Sequence, residues 1–317
     1  HFLKVFYAGT PYERPVLGTA STISHLKREC VWEYYRTWYV PNNMTLMVIG
    51  DFSTSEMIEL VKNKYGQYPA GQIPEHRTIK LNPPERLRII KANGMGKFPR
   101  DRRYLTMGYL LPPPVSDDFQ PLVLLSEFLG GRDNSVLKTL FTQEQNKDLV
   151  IDIGTSVDFN SDFSTLQISA ELPINIDVEH VIELITQAVR DMKKNPVPPS
   201  EVQSTLIARA THEIYLQESL HYYGMMKSGY LAAGGYAFLR DYMDGLMKVT
   251  PQSIQKAVAQ YLSAQMPVVT LMSPPVEKTA GETATRSPNQ YSMEKLENGL
   301  TVVIKENQDS RVIGIHL

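Results

Sequence analysis

The sequence predicts an α+β protein of two-layer domains, with antiparallel-rich sheets packed by helices. Three observations predict it. Two strand-like runs, Val150 to Val157 and Phe163 to Leu172, are joined only by Asp158-Phe159-Asn160-Ser161-Asp162, which suits an antiparallel pair rather than a parallel crossover. Long stretches with apolar residues at helical spacing follow one another instead of alternating with strands, which argues against a doubly wound parallel sheet. Proline- and glycine-dense or apolar-poor stretches, 66–85 and 274–290, divide the chain.

The elements follow in order. Ile23, Leu26, Cys30, Val31, Tyr34 and Trp38 recur at spacings of three or four and predict a helix over 24–39, with Ser24 as N-cap and Pro41 as the stop. Thr45 to Ile49 reads as a strand closed by Gly50-Asp51. Ser53-Thr54-Ser55-Glu56 has the form of a capping box and opens a helix through Met57, Ile58, Leu60, Val61 and Tyr65. After the linker, Leu87 to Lys91 and Tyr104 to Leu111 read as strands, and Pro112-Pro113-Pro114 stops the second. Ser116-Asp117-Asp118 starts a helix to Leu129, with acid placed at its positive end, and Gly130-Gly131 breaks it. A helix over about 134–145 comes next, then the strand pair. Val178, Val181, Ile182, Ile185, Val189 and Met192 form one apolar stripe of a long helix. Helices continue across 200–262, with Gly234-Gly235 as a break and Thr250-Pro251 as a helix start, and Pro267 to Met272 is a last strand. Met293 to Lys305 and Arg311 to Leu317 read as a further hairpin near Glu297-Asn298-Gly299. Both termini read as interrupted within folded sequence.

Composition narrows the function classes. The formal net charge is −2, without the basic stripe of a nucleic-acid binder, so no nucleic acid is expected as a partner. No run of about 18 apolar residues occurs, so no membrane span is expected. The single cysteine, Cys30, excludes an internal disulfide and reads as a small core or surface residue. Composition leaves the compartment unknown; a soluble protein without disulfides suits the bacterial periplasm and the cytoplasm alike.

The chemistry-bearing motifs are missing. His-Glu-x-x-His and the inverted His-x-x-Glu-His, which put two imidazoles one helical turn apart on a metal, are both absent. Glu75-His76 and Glu179-His180 lack the upstream histidine, since Gln72 and Ile176 stand there, and His212-Glu213 is followed by Leu216 where a second histidine is needed. Gly-x-Ser-x-Gly and phosphate-binding glycine motifs do not occur, and Gly94-Met95-Gly96-Lys97 reads as a turn. The Tyr222, Tyr223, Met225, Met226 cluster reads as core or helix–helix packing rather than a cofactor site.

Several segments in series resemble one family. Gly9-Thr10-Pro11-Tyr12 with Arg14 to Gly18 is similar to the stretch that trails that family's catalytic helices. Tyr35-Arg36-Thr37-Trp38-Tyr39-Val40-Pro41-Asn42-Asn43-Met44, running on to Val48-Ile49-Gly50-Asp51-Phe52, is the most specific match. Tyr109 to Pro114, Leu124 to Gly131 with Ser135 to Leu140, Pro198 to Glu201, and Leu296 to Val303 follow in the family's order. On these segments the chain resembles an internal piece of the pitrilysin/insulinase-type (M16) zinc metallopeptidases.

The resemblance implies a layout: 1–70 the rear of a first peptidase-like domain, 86–273 a complete second, noncatalytic one, 274–290 a linker and 291–317 the first strands of a third. It places the family's zinc ligands and general base upstream of His1, so zinc belongs to the parent protein and this chain has no metal-binding or catalytic residue of its own. The implied function is a zinc-dependent metalloendopeptidase that degrades peptides in a closed chamber, with this piece as noncatalytic wall; the alternative is a noncatalytic homologue acting as a partner or structural subunit. The implied partners are peptide substrates and the rest of the parent chain, with self-association through open sheet edges. The family's insulin-degrading members anchor a peptide N-terminus on the second domain, partly by backbone pairing with a sheet edge. The matching positions are Gly130, Gly131, Arg132 and Asp133, with Gly154 and Thr155 nearby. The alternative at those positions is that Gly130-Gly131 only ends a helix. If residues 1–68 fold, Val31, Tyr34, Trp38, Ile49 and Val61 are expected to pack together.

Overall fold

The computed structural model describes residues 1–94, 98–275, 291–295 and 301–305. Its centre is a five-stranded sheet of β1 (Ile89–Asn93), β2 (Arg102–Leu111), β3 (Asp152–Phe159), β4 (Ser164–Pro173) and β5 (Val268–Ser273), in the order β1-β5-β2-β4-β3. β2, β3 and β4 form antiparallel ladders, β5 pairs antiparallel with β2, and only β1 with β5 is parallel. The expected strands lie within a residue or two of these bounds.

The β-period of two decides the layers. Leu105, Met107, Tyr109 and Leu111 of β2 and Leu166, Ile168, Ala170 and Leu172 of β4 are all buried on one face. Helices cover that face: α5 (Phe119–Ser126), α6 (Val136–Thr142), α7 (Val178–Lys194), α8 (Pro199–Glu218), α9 (Leu220–Leu246) and α10 (Pro251–Ala257). The predicted apolar stripe of α7 is the buried one, residue for residue. Each such side chain contributes about 1.5–3 kcal/mol. Asp177 caps α7 on the His180 amide, and Thr250 caps α10 in a reciprocal box with Ser253.

The opposite face carries Thr106, Gln167, Ser169, Glu171, Gly154 and Ser156, a polar surface typical of a sheet with one wet side. Part of it is covered by α1 (Phe2–Phe6). Gly108 leaves room for the Phe2 and Phe6 rings: a Cβ there would lie 2.9 Å from Phe6 Cδ2 and closer still to Phe2. The Tyr7 hydroxyl lies 2.9 Å from Thr165 Oγ1, and burial raises its pKa.

Residues 8–93 behave differently, because none of them is buried. Three helices form there: α2 (Ala20–Ser24), α3 (Arg28–Trp38) and α4 (Thr54–Tyr65). The single helix expected over 24–39 is split. A Thr19–Thr22 capping box starts α2 early, so Ser24 ends that helix and Lys27 precedes α3. Thr45 to Ile49 forms no strand, since no partner strand among the described residues pairs with it. Ser53 is the N-cap of α4, but its hydroxyl bonds Ser55 Oγ at 3.0 Å and the expected box with Glu56 does not form. Val31, Tyr34, Trp38, Ile49 and Val61 do not make a core: Val31 and Tyr34 are 50% and 61% exposed and the other three are half-buried.

Two further expectations change. α5 runs on into a π turn, Glu127–Gly131, so the helix ends at Arg132 and the double glycine lies inside its last turn. Asp118 does not cap α5 with its side chain; it accepts the Tyr261 hydroxyl at 2.9 Å. Burial and that carboxylate push the Tyr261 pKa up to about 12. The last hairpin is β6 (Tyr291–Lys295) against β7 (Thr301–Lys305), and Glu297-Asn298-Gly299, expected near the start of a hairpin, lies outside the described residues. Arg311 to Leu317, most of the expected linker 274–290, and Met95 to Lys97 lie outside the described residues.

Candidate functional site

The site forms where the end of α5 meets the open edge of the sheet. β3 is the last strand of the order and bonds only β4, so its outer backbone edge has no partner among the described strands. The π turn Glu127–Gly131 packs against β3. A Cβ on Gly130 would lie 2.7 Å from Thr155 Cγ2 and 3.2 Å from the Thr155 amide nitrogen, so glycine is what permits this approach. Gly154 is looser, with its nearest neighbour, Gly130 O, at 3.9 Å from such a Cβ. Thr155 Oγ1 donates to the Ser126 carbonyl at 2.6 Å and accepts from Ser126 Oγ at 3.2 Å, which fixes helix to strand. The structure therefore brings Gly130, Gly154 and Thr155 together.

Arg132 turns away from the strand. Its guanidinium lies 4.5 Å over the Phe128 ring, donates from Nη1 to Thr205 Oγ1 at 2.9 Å, and pairs through Nη2 with Glu201. Glu127 pairs with Arg209 in the same way, so two ion pairs tie the α5 end to α8. A Cβ on Gly131 would fit tightly, 3.2 Å from Glu127 Oε2 and 3.3 Å from the Ser126 carbonyl oxygen. Asp133 is fully exposed and lies 3.3 Å from Lys138. These α8 partners lie about 70–80 residues away in sequence, and no local pattern announces them.

With Arg132 and Glu127 already paired, the site offers backbone donors and acceptors rather than a reactive side chain. Asp152 and Asp158 point from β3 on its wet side. Burial raises the Asp158 pKa, and Gln167 Nε2 donates to its carboxylate. An edge strand with carboxylates close by suits an extended chain carrying a positive end.

A second constellation escaped the sequence. Lys227 is 5% exposed, and its Nζ donates to Glu213 Oε2 at 2.7 Å, with the Tyr223, Tyr230 and Tyr242 ring centroids 5.6, 5.1 and 5.7 Å away. The signal was present as Tyr223, Lys227 and Tyr230 at helical spacing. The neighbouring Tyr222, Met225 and Met226, expected in the core, are more than half exposed, because α9 turns the Lys227 face inward and theirs out.

Zinc does not fit the described residues. No group of three or more His, Cys, Asp or Glu side chains converges there, and Glu213, beside His212, is taken by Lys227. His76 instead bonds Asp162 Oδ1 at 2.8 Å. No described helix is long and apolar enough to cross a membrane.

A five-stranded, mostly antiparallel sheet with helices packed on one face defines an α+β unit. Residues 25–208, more than half of the chain, match the family model described as the peptidase M16 inactive domain, and the chain belongs to that family. It is 27% identical over 133 residues to the "Probable zinc protease PqqL" of Escherichia coli strain K12, a match that covers 41% of this chain and 13% of PqqL. The chain thus spans a small part of that relative. The crystal structure of a peptidase M16 inactive domain from Pseudomonas fluorescens shares the fold at a TM-score of 0.71 and 16% identity, covering 88% of this chain and 65% of that one. A chain of complex III from Candida albicans does so at a TM-score of 0.69 and 13% identity, covering 86% and 65%.

Proposed function

We propose that this chain is the noncatalytic part of a zinc-dependent metalloendopeptidase, forming a wall of the chamber in which peptides are cut and holding a peptide's amino end on the edge of β3. The observation that carries this is the unpaired β3 edge, with Gly130, Gly154 and Thr155 packed into one small-residue surface behind it. An extended peptide adds to such an edge by backbone hydrogen bonds, and Asp152 and Asp158 attract its ammonium group. The polar outer face of the sheet suits a wall that faces water and peptide. Zinc and the residues that use it belong to the rest of the parent protein. The division into 1–70, 86–273, 274–290 and 291–317 is part of the same proposal, as is self-association through open sheet edges, to which the exposed apolar surface of residues 16–68 adds.

A second reading, a noncatalytic homologue serving as a structural subunit, draws support from the shared fold with a complex III chain. Titrating a fluorescent peptide with a free amino terminus into the 317-residue chain separates the two. The edge-binding proposal expects saturable binding that falls about tenfold on N-terminal acetylation and again in Val157→Pro, where an amide turned away from β4 is lost. Equal binding of free and acetylated peptide, or none, rules the anchoring role out and leaves the structural reading.

A further inference from the structure

The α8–α9 hairpin encloses a cleft of about 530 Å³ that the β3 site does not use. It exists because α9 is kinked. Gly235 sits at φ 74°, ψ −177°, a region essentially restricted to glycine, and the two halves of α9 diverge there. α8 and the first half of α9 form one side, and the second half of α9 the other.

Its lining has the composition of a small-ligand site: apolar walls with a few convergent polar groups. Ile214, Tyr223, Tyr236 and Met243 supply apolar surface, and Ile214 and Tyr236 are 61% and 68% exposed. The polar groups are Lys227, Arg240 and Glu213. Glu213 takes one of the three Lys227 ammonium donors. Asp241, outside the lining, takes Nε and Nη2 of Arg240 at 2.6 and 2.7 Å, which leaves Nη1 without a hydrogen bond among the described residues. The three tyrosine rings keep Lys227 out of bulk water, where its attraction for an anion is stronger than at the surface. Each cation is paired, Lys227 with Glu213 and Arg240 with Asp241, and each retains a donor for a further acceptor.

We propose that this cleft binds the carboxyl end of a peptide whose last side chain is apolar, with the carboxylate on Lys227 Nζ and Arg240 Nη1 and the side chain against Ile214, Tyr236 and Met243. The anion is a terminal carboxylate rather than a phosphate because Glu213 sits in the same lining, and a dianion meets more repulsion from it than a monoanion does. Such ends are what peptide-bond hydrolysis generates, but the inference rests on the hairpin alone and stands or falls independently of the β3 edge.

The test titrates N-acetyl-leucine and N-acetyl-leucinamide into the 317-residue chain, followed by calorimetry and by amide chemical shifts. The acid is expected to bind saturably and at least tenfold more tightly than the amide, with shifts confined to α8 and α9. Arg240→Gln, an exposed change, is expected to bring the acid down to the level of the amide. Ile214→Glu, also exposed, is expected to abolish binding while the melting temperature stays unchanged. Equal affinity for acid and amide, no saturable binding of either, or binding indifferent to Ile214→Glu overturns the proposal.

Discussion

Residues 8–68 and residues 86–273 contain equally regular helices, yet only the second stretch has an interior. α3 has a clear apolar face, Val31, Tyr34, Tyr35 and Trp38, and buries none of it; α7 has one and buries all of it. The difference lies in what lies opposite. α7 faces the apolar side of a sheet, whereas Thr45 to Ile49, the segment after α3 expected to be a strand, finds no ladder among the described residues. Helical spacing therefore reports that a helix has a face to cover, and says nothing about what covers it.

The sharpest way to break this comparison is to delete one large apolar side chain from each region. Phe119 is fully buried between Phe159 and Phe238, with ring centroids 5.5 and 5.8 Å away, so Phe119→Ala is expected to cost about 3–5 kcal/mol in urea unfolding. Tyr34→Ala, at 61% exposure, is expected to stay within about 0.5 kcal/mol. Comparable losses would mean that residues 8–68 possess a core after all.

A smaller effect concerns what the uncovered face does. With Leu17 88% exposed and Trp32 and Tyr34 more than half exposed, the chain is expected to self-associate through residues 16–68 as its concentration rises. Light scattering should show a mass growing above that of one chain, and Trp32→Asp with Tyr34→Asp should return it to the monomer. A monomer at all concentrations would show that this face is tolerated by water.

The smallest effect sits where the two regions are joined. Burial raises the Asp162 pKa, but hydrogen bonds from His76 and the Ile79 amide more than offset this and hold it below the ordinary aspartate range. A depressed carboxylate contributes stability that is present above its unfolded pKa of about 3.9 and lost as pH falls through the lower folded value. Asp162→Asn should thus cost about 1 kcal/mol near pH 6, and the gap to the parent chain should close below about pH 4. A gap independent of pH would remove the carboxylate's charge from the account.

The two regions also differ in how legible they were. Period-two and helical patterns located every strand of the main sheet and the buried stripe of α7, because burial and periodicity coincide there. Over 20–49 the same signals placed a helix start and a strand wrongly, since a Thr19–Thr22 capping box and the missing ladder partner decide those positions. For the site, the resemblance singled out Gly130, Gly154 and Thr155, which the fold brings into contact. The Arg132–Glu201 and Glu127–Arg209 pairs stayed hidden because each joins residues that only the folded chain makes neighbours.

The order of the sheet also sets an order of assembly during synthesis. β3 and β4 can pair as soon as residue 173 is made, since only a short turn joins them, and β2, separated from β3 by α5 and α6, can then add to β4. β1, although it precedes them all, pairs with β5 alone among the described strands, Ile89 opposite Val269, and β5 also sits between β1 and β2. Closing so long a loop is slow compared with forming hairpins. On the ribosome, the nascent unit must hold β1 in waiting and leave β2 with one bare flank until nearly all of its helices have emerged. A chaperone that shields strand edges would have its longest opportunity on this domain between the synthesis of β4 and that of β5.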